Sequence, residues 1–368
     1  MSESGAIDWG LARTVAARVN RDEPQLSADQ RAKMNDDFER FTAQAEELVG
    51  AETGLRSLDG NARGRVADRA DWVDANLRSF QRLLKPVLEK MEEESGGLGG
   101  AIGPKVAGVE LGTMLGWMST RVLGQYDLLV IEDENPEDQD IVYYVGSNVA
   151  ALERRFAFPE EDFRLWLALH EVTHRAQFTG VPWMREHFLG LVNGMIDEAD
   201  PDPQRFVDGL KRAVEQARNG EDPLAEGGLS AIFASEEQRA LLDQVGGLMS
   251  LLEGHGDVTM DRAGEGIVKG ADRFGRILRQ RRANASRGVS LVQKLVGLEA
   301  KMKQYAQGEN FIEVVEAHGG RELMDRVWEA PVLLPKLAEI REPELWICLL
   351  YTSPSPRDAT LSRMPSSA

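Results

Sequence analysis

Apolar residues recur at helical spacing through the first quarter of the chain. Residues 7–20, 27–50 and 66–94 each show this pattern, which predicts three amphipathic helices. The glycine-rich run ESGGLGGAIGP that follows predicts a loop. We therefore expect residues 1–95 to form a helical subdomain within one domain that extends to residue 347.

The one strong β pattern lies in DLLVIEDENPEDQDIVYYVG. Two apolar runs, Leu128–Ile131 and Ile141–Val145, flank an acidic turn that contains Pro136, which predicts a β-hairpin. Helical spacing then resumes and predicts helices at 159–178, 184–197, 203–218, 235–254, 260–281, 287–306, 309–317 and 320–329. The predicted fold class is mainly α with a small β-hairpin or sheet.

Three glycines stand four residues apart in VAGVELGTMLGWMSTRVLG. Such a ladder can mark a helix that dimerises within a membrane. Glu110 and Arg121 lie inside this stretch, however, and it is shorter than a clean apolar span. A buried helix that packs closely against a neighbouring helix is the favoured interpretation.

Charge and cysteine content narrow the classes of function. The 368 residues have a formal net charge of −18, which disfavours binding to nucleic acid or to anionic lipid. Cys348 is the single cysteine, so neither a disulfide framework nor a multi-thiolate metal site can form within the chain. The N-terminus lacks the basic and apolar segments of a secretion signal, and we expect a cytoplasmic protein.

The last twenty or so residues differ from the rest of the chain. CLLYTSPSPRDATLSRMPSSA has no periodicity and is rich in Ser and Pro. It reads as a disordered tail, and it resembles translated vector sequence. Residues 348–368 are therefore expected to be non-native or disordered, and we assign no function to them.

The segment LALHEVTHRAQF contains two of the five histidines of the chain. Acidic residues after Pro159 and the stop at Gly180 predict a helix around it. His170 and His174 are four residues apart, so both imidazoles project from one face, one turn apart, as two ligands of a zinc ion require. Glu171 can reach a water molecule at that site and act as a general base.

The third zinc ligand must come from elsewhere in the chain. Gln177 and Gly180 stand where a metzincin would have Gly and His, so that subclass is excluded. A gluzincin-like site instead takes a glutamate from a second helix. Glu253 in LLEGHGDVTMD ends an apolar run and is predicted as this ligand, with Asp257 one turn later as its outer-shell partner. Alternatively, Glu253 simply ends a helix before the glycines.

His255 lies two residues after Glu253 and would face away from it on an ideal helix. Gly254 and Gly256 could break the helix and turn His255 inward. His255 is then a candidate catalytic residue that stabilises an oxyanion, or a metal ligand in place of Glu253. The strand Ile141–Val145 either offers an edge to an extended substrate or only covers the core.

Several separated motifs together resemble one family. HEVTHRAQF, PWMREHF, RVLGQYDLLV, YYVGSNV, LLEGHGDVTMD and DRADWVDANLRSFQRLLKPV occur in the arrangement seen in the zincin-like metallopeptidase type 2 family. These are bacterial proteins, sometimes labelled as associated with deazaflavin-cofactor biosynthesis. The resemblance runs from about residue 8 to residue 347. It implies a mainly α zincin-like fold, a hydrolase activity, and site residues at His170, Glu171, His174, Glu253, His255 and Asp257.

The leading hypothesis is a zinc-dependent hydrolase that acts as a metallopeptidase. Its partner would be a peptide or a small amide, with no nucleic acid and no membrane. Hydrolysis of a non-peptide amide or ester is a weaker variant of the same chemistry. The alternative from another class is a non-catalytic zincin-like scaffold that binds a partner and keeps a structural or vestigial metal site.

Overall fold

The structure is a computed structural model that describes residues 7–58, 60–95, 103–126, 140–197, 236–288 and 298–352. Its helices, numbered in chain order, are α1 (Trp9–Val19), α2 (Ala28–Thr53), α3 (Arg69–Ser95), α4 (Gly103–Ser119), α5 (Gly146–Phe156), α6 (Glu160–Thr179), α7 (Met184–Asp197), α8 (Glu236–Ala263), α9 (Ala271–Gly288), α10 (Leu298–Met324), α11 (Leu337–Arg341) and α12 (Pro343–Thr352). Short 3₁₀ turns at Asp325–Trp328 and Pro331–Leu333 follow α10. The prediction of a mainly α fold is confirmed.

Three strands form a small sheet in the order β1 (Arg63–Ala67), β3 (Ile141–Val145), β2 (Gly124–Tyr126). The central strand β3 pairs in parallel with β1 and antiparallel with β2. The prediction of a strand at Ile141–Val145 is confirmed, whereas Leu128–Ile131 lies outside the described residues. The strand β1 was not predicted. Its last two residues, Val66 and Ala67, lie within the helix predicted at 66–94, which begins at Arg69.

Two compact units divide the chain. The first unit contains residues 1–185 and 256–281, and the second contains residues 186–255 and 282–368. Residues 1–95, predicted as a helical subdomain, belong to the first unit. The helix α8 is continuous from Glu236 to Ala263 and contributes residues to both units.

The core of the first unit is built around α6, α2 and the sheet. The ring of Phe38 on α2 stacks on that of Tyr144 in β3, with centroids 3.8 Å apart. Thr42 Oγ1 lies 2.9 Å from the Tyr144 hydroxyl, which gives this buried phenol a hydrogen-bond partner. At the start of α6, Phe163 and Trp166 pack with Phe274 of α9. These aromatic contacts fix α6 between its neighbours.

The second unit is organised around close contacts of α8. Gly254 meets Gly308 of α10 so closely that a Cβ on Gly254 would lie 2.3 Å from the Gly308 carbonyl carbon. Gly247 makes a similar approach to the backbone at Pro335. The glycines of α8 therefore allow helix and loop backbones to touch, and they do not end the helix.

The glycine ladder of α4 packs against α1. A Cβ on Gly112 would lie 2.2 Å from the carbonyl oxygen of Ala12, and one on Gly108 would lie 2.5 Å from that of Asp8. Ala12 and Ala16 are fully buried at this contact. The predicted close packing against a neighbouring helix is confirmed, but α4 is buried only on the face with the glycines, and Val106 and Val109 are exposed. None of the helices in the described part of the chain has the length and apolar character that a bilayer crossing requires.

The substitution Gly112→Ala tests this contact. The added methyl group must displace α1, and overpacking of this kind lowers the free energy of unfolding by about 1–3 kcal/mol. Urea unfolding measures this change. Gly10→Ala on α1 is the matched control, because its Cβ would meet only Asp8 Oδ1 at 3.6 Å. It should leave stability unchanged or raise it by about 0.5–1 kcal/mol. Equal urea concentrations at the unfolding midpoint of the two variants would contradict the close contact.

Candidate metal centre

The helix α6 is buried along nearly its whole length. Pro159 occupies its N-cap position, and Glu160, Glu161 and Asp162 lie in its first turn, where carboxylates interact favourably with the helix dipole. From Phe163 to Thr179 every residue is buried except His170 and His174, which are partly exposed. Beyond the first turn, the two histidines are therefore the most exposed residues of this helix.

The two imidazoles face each other through their Nε2 atoms. His170 Nε2 and His174 Nε2 lie 3.2 Å apart, and the ring planes are inclined at 83°. The two Nδ1 atoms point to other partners. His170 Nδ1 lies 3.4 Å from Asp257 Oδ1, and His174 Nδ1 lies 3.0 Å from Gln177 Oε1.

Glu253 joins the two histidines in one group of potential ligands. His170, His174 and Glu253 each offer one ligand atom, and these atoms all lie within 4.8 Å of one another. Glu253 and Asp257 stand one turn apart on the continuous helix α8, so they share one face of it. The predicted break at Gly254 and Gly256 is not formed.

The group fits a zinc ion in its chemistry and its spacing. Two imidazole nitrogens and a carboxylate oxygen are a ligand set typical of catalytic zinc. Zn–N bonds of 2.0–2.1 Å imply a spacing of about 3.3–3.4 Å between two nitrogens at a tetrahedral centre, close to the observed 3.2 Å. If both Nδ1 atoms carry protons, two lone pairs meet between the rings, an arrangement that a cation stabilises.

His255 does not turn towards Glu253. Because α8 continues through it, its side chain is about 200° around the helix from that of Glu253. Its ring packs edge-on against Trp328, with centroids 5.0 Å apart. The premise for an oxyanion or ligand role of His255 is therefore wrong, because the glycines on either side do not break the helix.

Gly256 brings α8 close to both imidazoles. A Cβ at this position would lie 3.2 Å from His174 Cε1 and 3.3 Å from His170 Cε1 and Nδ1. These distances are tighter than ordinary van der Waals contact, so a larger residue would push the rings. The sequence marked Gly256 only as a potential helix breaker, and its role in packing against the histidines was missed.

Glu171 is buried and lies against the backbone of β2. Its residue is 6% exposed, and a Cβ on Gly124 would lie 2.7 Å from Glu171 Oε1 and 2.6 Å from its Cγ. The absence of a side chain at Gly124 therefore makes room for the Glu171 carboxylate. This neighbour also was not predicted from the sequence.

Among the described strands, β1 and β2 stand at the two ends of the sheet, and β2 is the one next to Glu171. An edge role was one of the two alternatives for Ile141–Val145, but this strand is central and is paired on both sides. Its backbone groups are therefore used within the sheet and cannot pair with an extended ligand. The strand β2 stands at the end of the sheet order and passes directly over Glu171 at Gly124.

Two buried arginines on α6 lie on either side of the histidines in sequence. Arg164 donates two hydrogen bonds to Glu153, at 2.8 and 2.9 Å, and one to Asp37 at 2.6 Å. Arg175 donates to Asp140, to Glu46 at 2.7 Å and to the Gly60 carbonyl at 2.8 Å. Arg164 also pairs with Glu160 at 3.3 Å. Each buried cation thus has at least two carboxylate partners, as burial of a charge requires.

The pKa values reflect the competition between burial and pairing. Burial alone would lower the pKa of Arg175, but its hydrogen bond to Asp140 and the nearby carboxylate charges outweigh burial and raise it. Burial raises the pKa of Tyr126 well above its ordinary value, and the charge of Asp140 adds to this rise. Tyr126 accepts a hydrogen bond from Arg185 at 2.8 Å. Hydrogen bonds and ion pairs thus hold Arg175 and Tyr126 in place beside α6.

The sequence model of the zincin-like metallopeptidase family matches residues 7–347, which is nearly the whole chain. The chain belongs to the zincin-like metallopeptidase family. This confirms the resemblance inferred from the separated motifs. Membership implies a metal, typically zinc, and the group of His170, His174 and Glu253 is a candidate for holding it.

This zincin-like chain is also similar to a solved structure. A crystal structure from Chloroflexus aurantiacus, described as a "putative hydrolase with a novel fold", is 31% identical and superposes with a TM-score of 0.70. The match covers 95% of this chain and 100% of that one. None of the curated proteins matches.

Substitutions at Gly256 test how closely α8 packs on the zincin-like site. Gly256→Ala should weaken zinc binding slightly, and Gly256→Val should weaken it by about tenfold or more, because each added carbon pushes the imidazoles further apart. Competition with a chromophoric chelator measures the affinity. An unchanged affinity in folded Gly256→Val would contradict the proposed contact.

Proposed function

We propose that this chain is a zinc-dependent hydrolase that cleaves peptide bonds. The single observation that supports this most strongly is the clustering of the ligand atoms of His170, His174 and Glu253 within 4.8 Å. Glu171 directly follows the first histidine on the same helix, and its side chain is buried. Family membership and the solved hydrolase from Chloroflexus aurantiacus support hydrolysis as the reaction class.

In this proposal the ion is held by His170, His174 and Glu253. Asp257 orients the His170 imidazole through its Nδ1 atom. Zinc bound there supplies Lewis acidity, which polarises a carbonyl group and lowers the pKa of water to about 7. Glu171 accepts the proton of the attacking water and returns it to the leaving amine. Its confinement against Gly124 holds the carboxylate in one position, so little reorganisation is needed for proton transfer.

The strand β2 is the proposed binding edge for substrate. An extended peptide can pair with the edge of a sheet through main-chain hydrogen bonds. Since Gly124 lies on Glu171, a peptide bound along β2 would present a carbonyl group near the general base. This is the reason for preferring a peptide over a small ester.

Metal analysis combined with Glu171→Gln tests the proposed reaction. Purified protein should contain one zinc ion per chain. Glu171→Gln should keep the zinc and lose about 10²–10⁴-fold in turnover of a quenched fluorescent peptide library, which is the range for loss of a general base. Glu161→Gln is the matched control, because Glu161 lies on the same helix and its side chain is 69% exposed.

The outcomes separate the two function classes. Wild-type protein without stoichiometric zinc would overturn the metal site. Full activity in Glu171→Gln would overturn the base assignment. Zinc without turnover of any peptide would favour the scaffold hypothesis.

Gly124 offers a second test that leaves the metal ligands untouched. A methyl group in Gly124→Ala would overlap the Glu171 carboxylate and should displace it. We expect zinc content to stay at the wild-type value while turnover falls at least tenfold, since misplacement of a catalytic group by about 1 Å can cost 10²-fold. Unchanged turnover would show that this contact does not position Glu171.

A further inference from the structure

Gln177, which stands where a metzincin would have glycine, contacts one of the candidate zinc ligands. We infer that Gln177 is a positioning residue that fixes the tautomer and orientation of His174. This inference rests on the proposed metal centre, because a fixed tautomer matters only if His174 binds an ion through Nε2.

The geometry around Gln177 carries the inference. Its side chain is fully buried, and its Oε1 lies 3.0 Å from His174 Nδ1. A carbonyl oxygen can only accept a hydrogen bond, so the proton of the neutral imidazole must be on Nδ1. The lone pair is then on Nε2, which faces His170 Nε2 at 3.2 Å, on the side where the ligand atoms converge.

The opposite amide orientation would have the opposite effect. An NH₂ group of Gln177 directed at Nδ1 would donate to it and leave the imidazole proton on Nε2. That proton would occupy the position of the metal bond. The direction of one buried amide thus decides whether His174 is prepared to bind metal.

The two histidines are held by chemically different partners. His170 Nδ1 faces the carboxylate of Asp257, whose side chain is 4% exposed, whereas His174 Nδ1 faces a neutral amide. Glu171, Glu253 and Asp257 already bring negative charge to this region. A neutral acceptor at Gln177 fixes the second imidazole without adding another buried carboxylate, which would be costly.

Position 177 also suits this task on a helix. His174 and Gln177 are three residues apart on α6, so their side chains are neighbours on the helix surface. The contact therefore needs no other element to form. Because α6 is packed on all sides here, the amide has little freedom to turn away.

Histidine NMR with ¹⁵N labelling tests the inference directly, and the five histidines of the chain make assignment practical. In zinc-loaded wild type we expect His174 to show a protonated Nδ1 that exchanges slowly with solvent, and a metal-bound Nε2. In Gln177→Met, which keeps the length but removes the acceptor, this proton should exchange at least tenfold faster. Zinc affinity should fall 10–100-fold, the range for outer-shell partners.

Two further variants distinguish positioning from loss of structure. Gln177→Glu restores an acceptor at the same place and should recover the Nδ1 proton signal and most of the zinc affinity. Thr179→Val is the matched control on the same helix, because Thr179 is buried and its hydroxyl donates a hydrogen bond to the backbone carbonyl of Arg175. It should leave the His174 signals and the zinc affinity unchanged. Thermal unfolding of each variant verifies that it is folded.

Several results would overturn the inference. One is a wild-type His174 that carries its proton on Nε2 in zinc-loaded protein. Another is a folded Gln177→Met whose His174 signals and zinc affinity match those of Thr179→Val. If the protein binds no zinc at all, the proposed function fails, but Nδ1 protonation in metal-free wild type and its loss in Gln177→Met still decide the role of Gln177.

Discussion

Burial of α6 on nearly every side is the constraint on which the rest of the first unit depends. A helix enclosed in this way gains hydrophobic stabilisation, but each of its polar groups must find a partner within the protein. Arg164 and Arg175 have paired carboxylates, and Thr173 bonds back to the Leu169 carbonyl. Only His170 and His174 remain partly exposed after the first turn. The helix is thus closed except at the place where chemistry is proposed.

The same constraint explains why outer-shell contacts are so well defined at this site. The two imidazoles cannot rotate freely beside the backbone of α8 at Gly256, and their Nδ1 atoms have polar partners in Asp257 and Gln177. A metal site built on rigid elements with fixed outer contacts needs less ordering when the ion binds. At His174, one contact with Gln177 both satisfies a buried polar atom and orients a candidate ligand. His170 Nδ1 lies 3.4 Å from Asp257 Oδ1 without forming a hydrogen bond to it.

Much of the fold and of the candidate site could be predicted because the relevant signals are local. Helical periodicity predicted α6 and α7 to within a residue or two, and the spacing of His170 and His174 follows directly from the helix. The strand β1 was missed because Arg63–Ala67 is short and its pairing with β3 joins residues far apart in the chain. The contact between Gly124 and Glu171 was missed for the same reason: no local pattern reports a long-range contact between a backbone and a side chain.

Gly254 and Gly256 were interpreted as potential helix breakers, but α8 continues through them, and this error has one physical cause. Its backbone freedom suggests a helix end, but its lack of a Cβ equally permits close contact. In α8 the second property decides: Gly254 meets Gly308, Gly256 meets the histidine rings, and the helix continues through both. That continuity keeps Glu253 and Asp257 on one face and directs His255 to Trp328. A glycine inside a strong apolar pattern is therefore better interpreted first as a site of close packing. A true break at Gly254 or Gly256 would have separated Glu253 from Asp257, which lies one turn away.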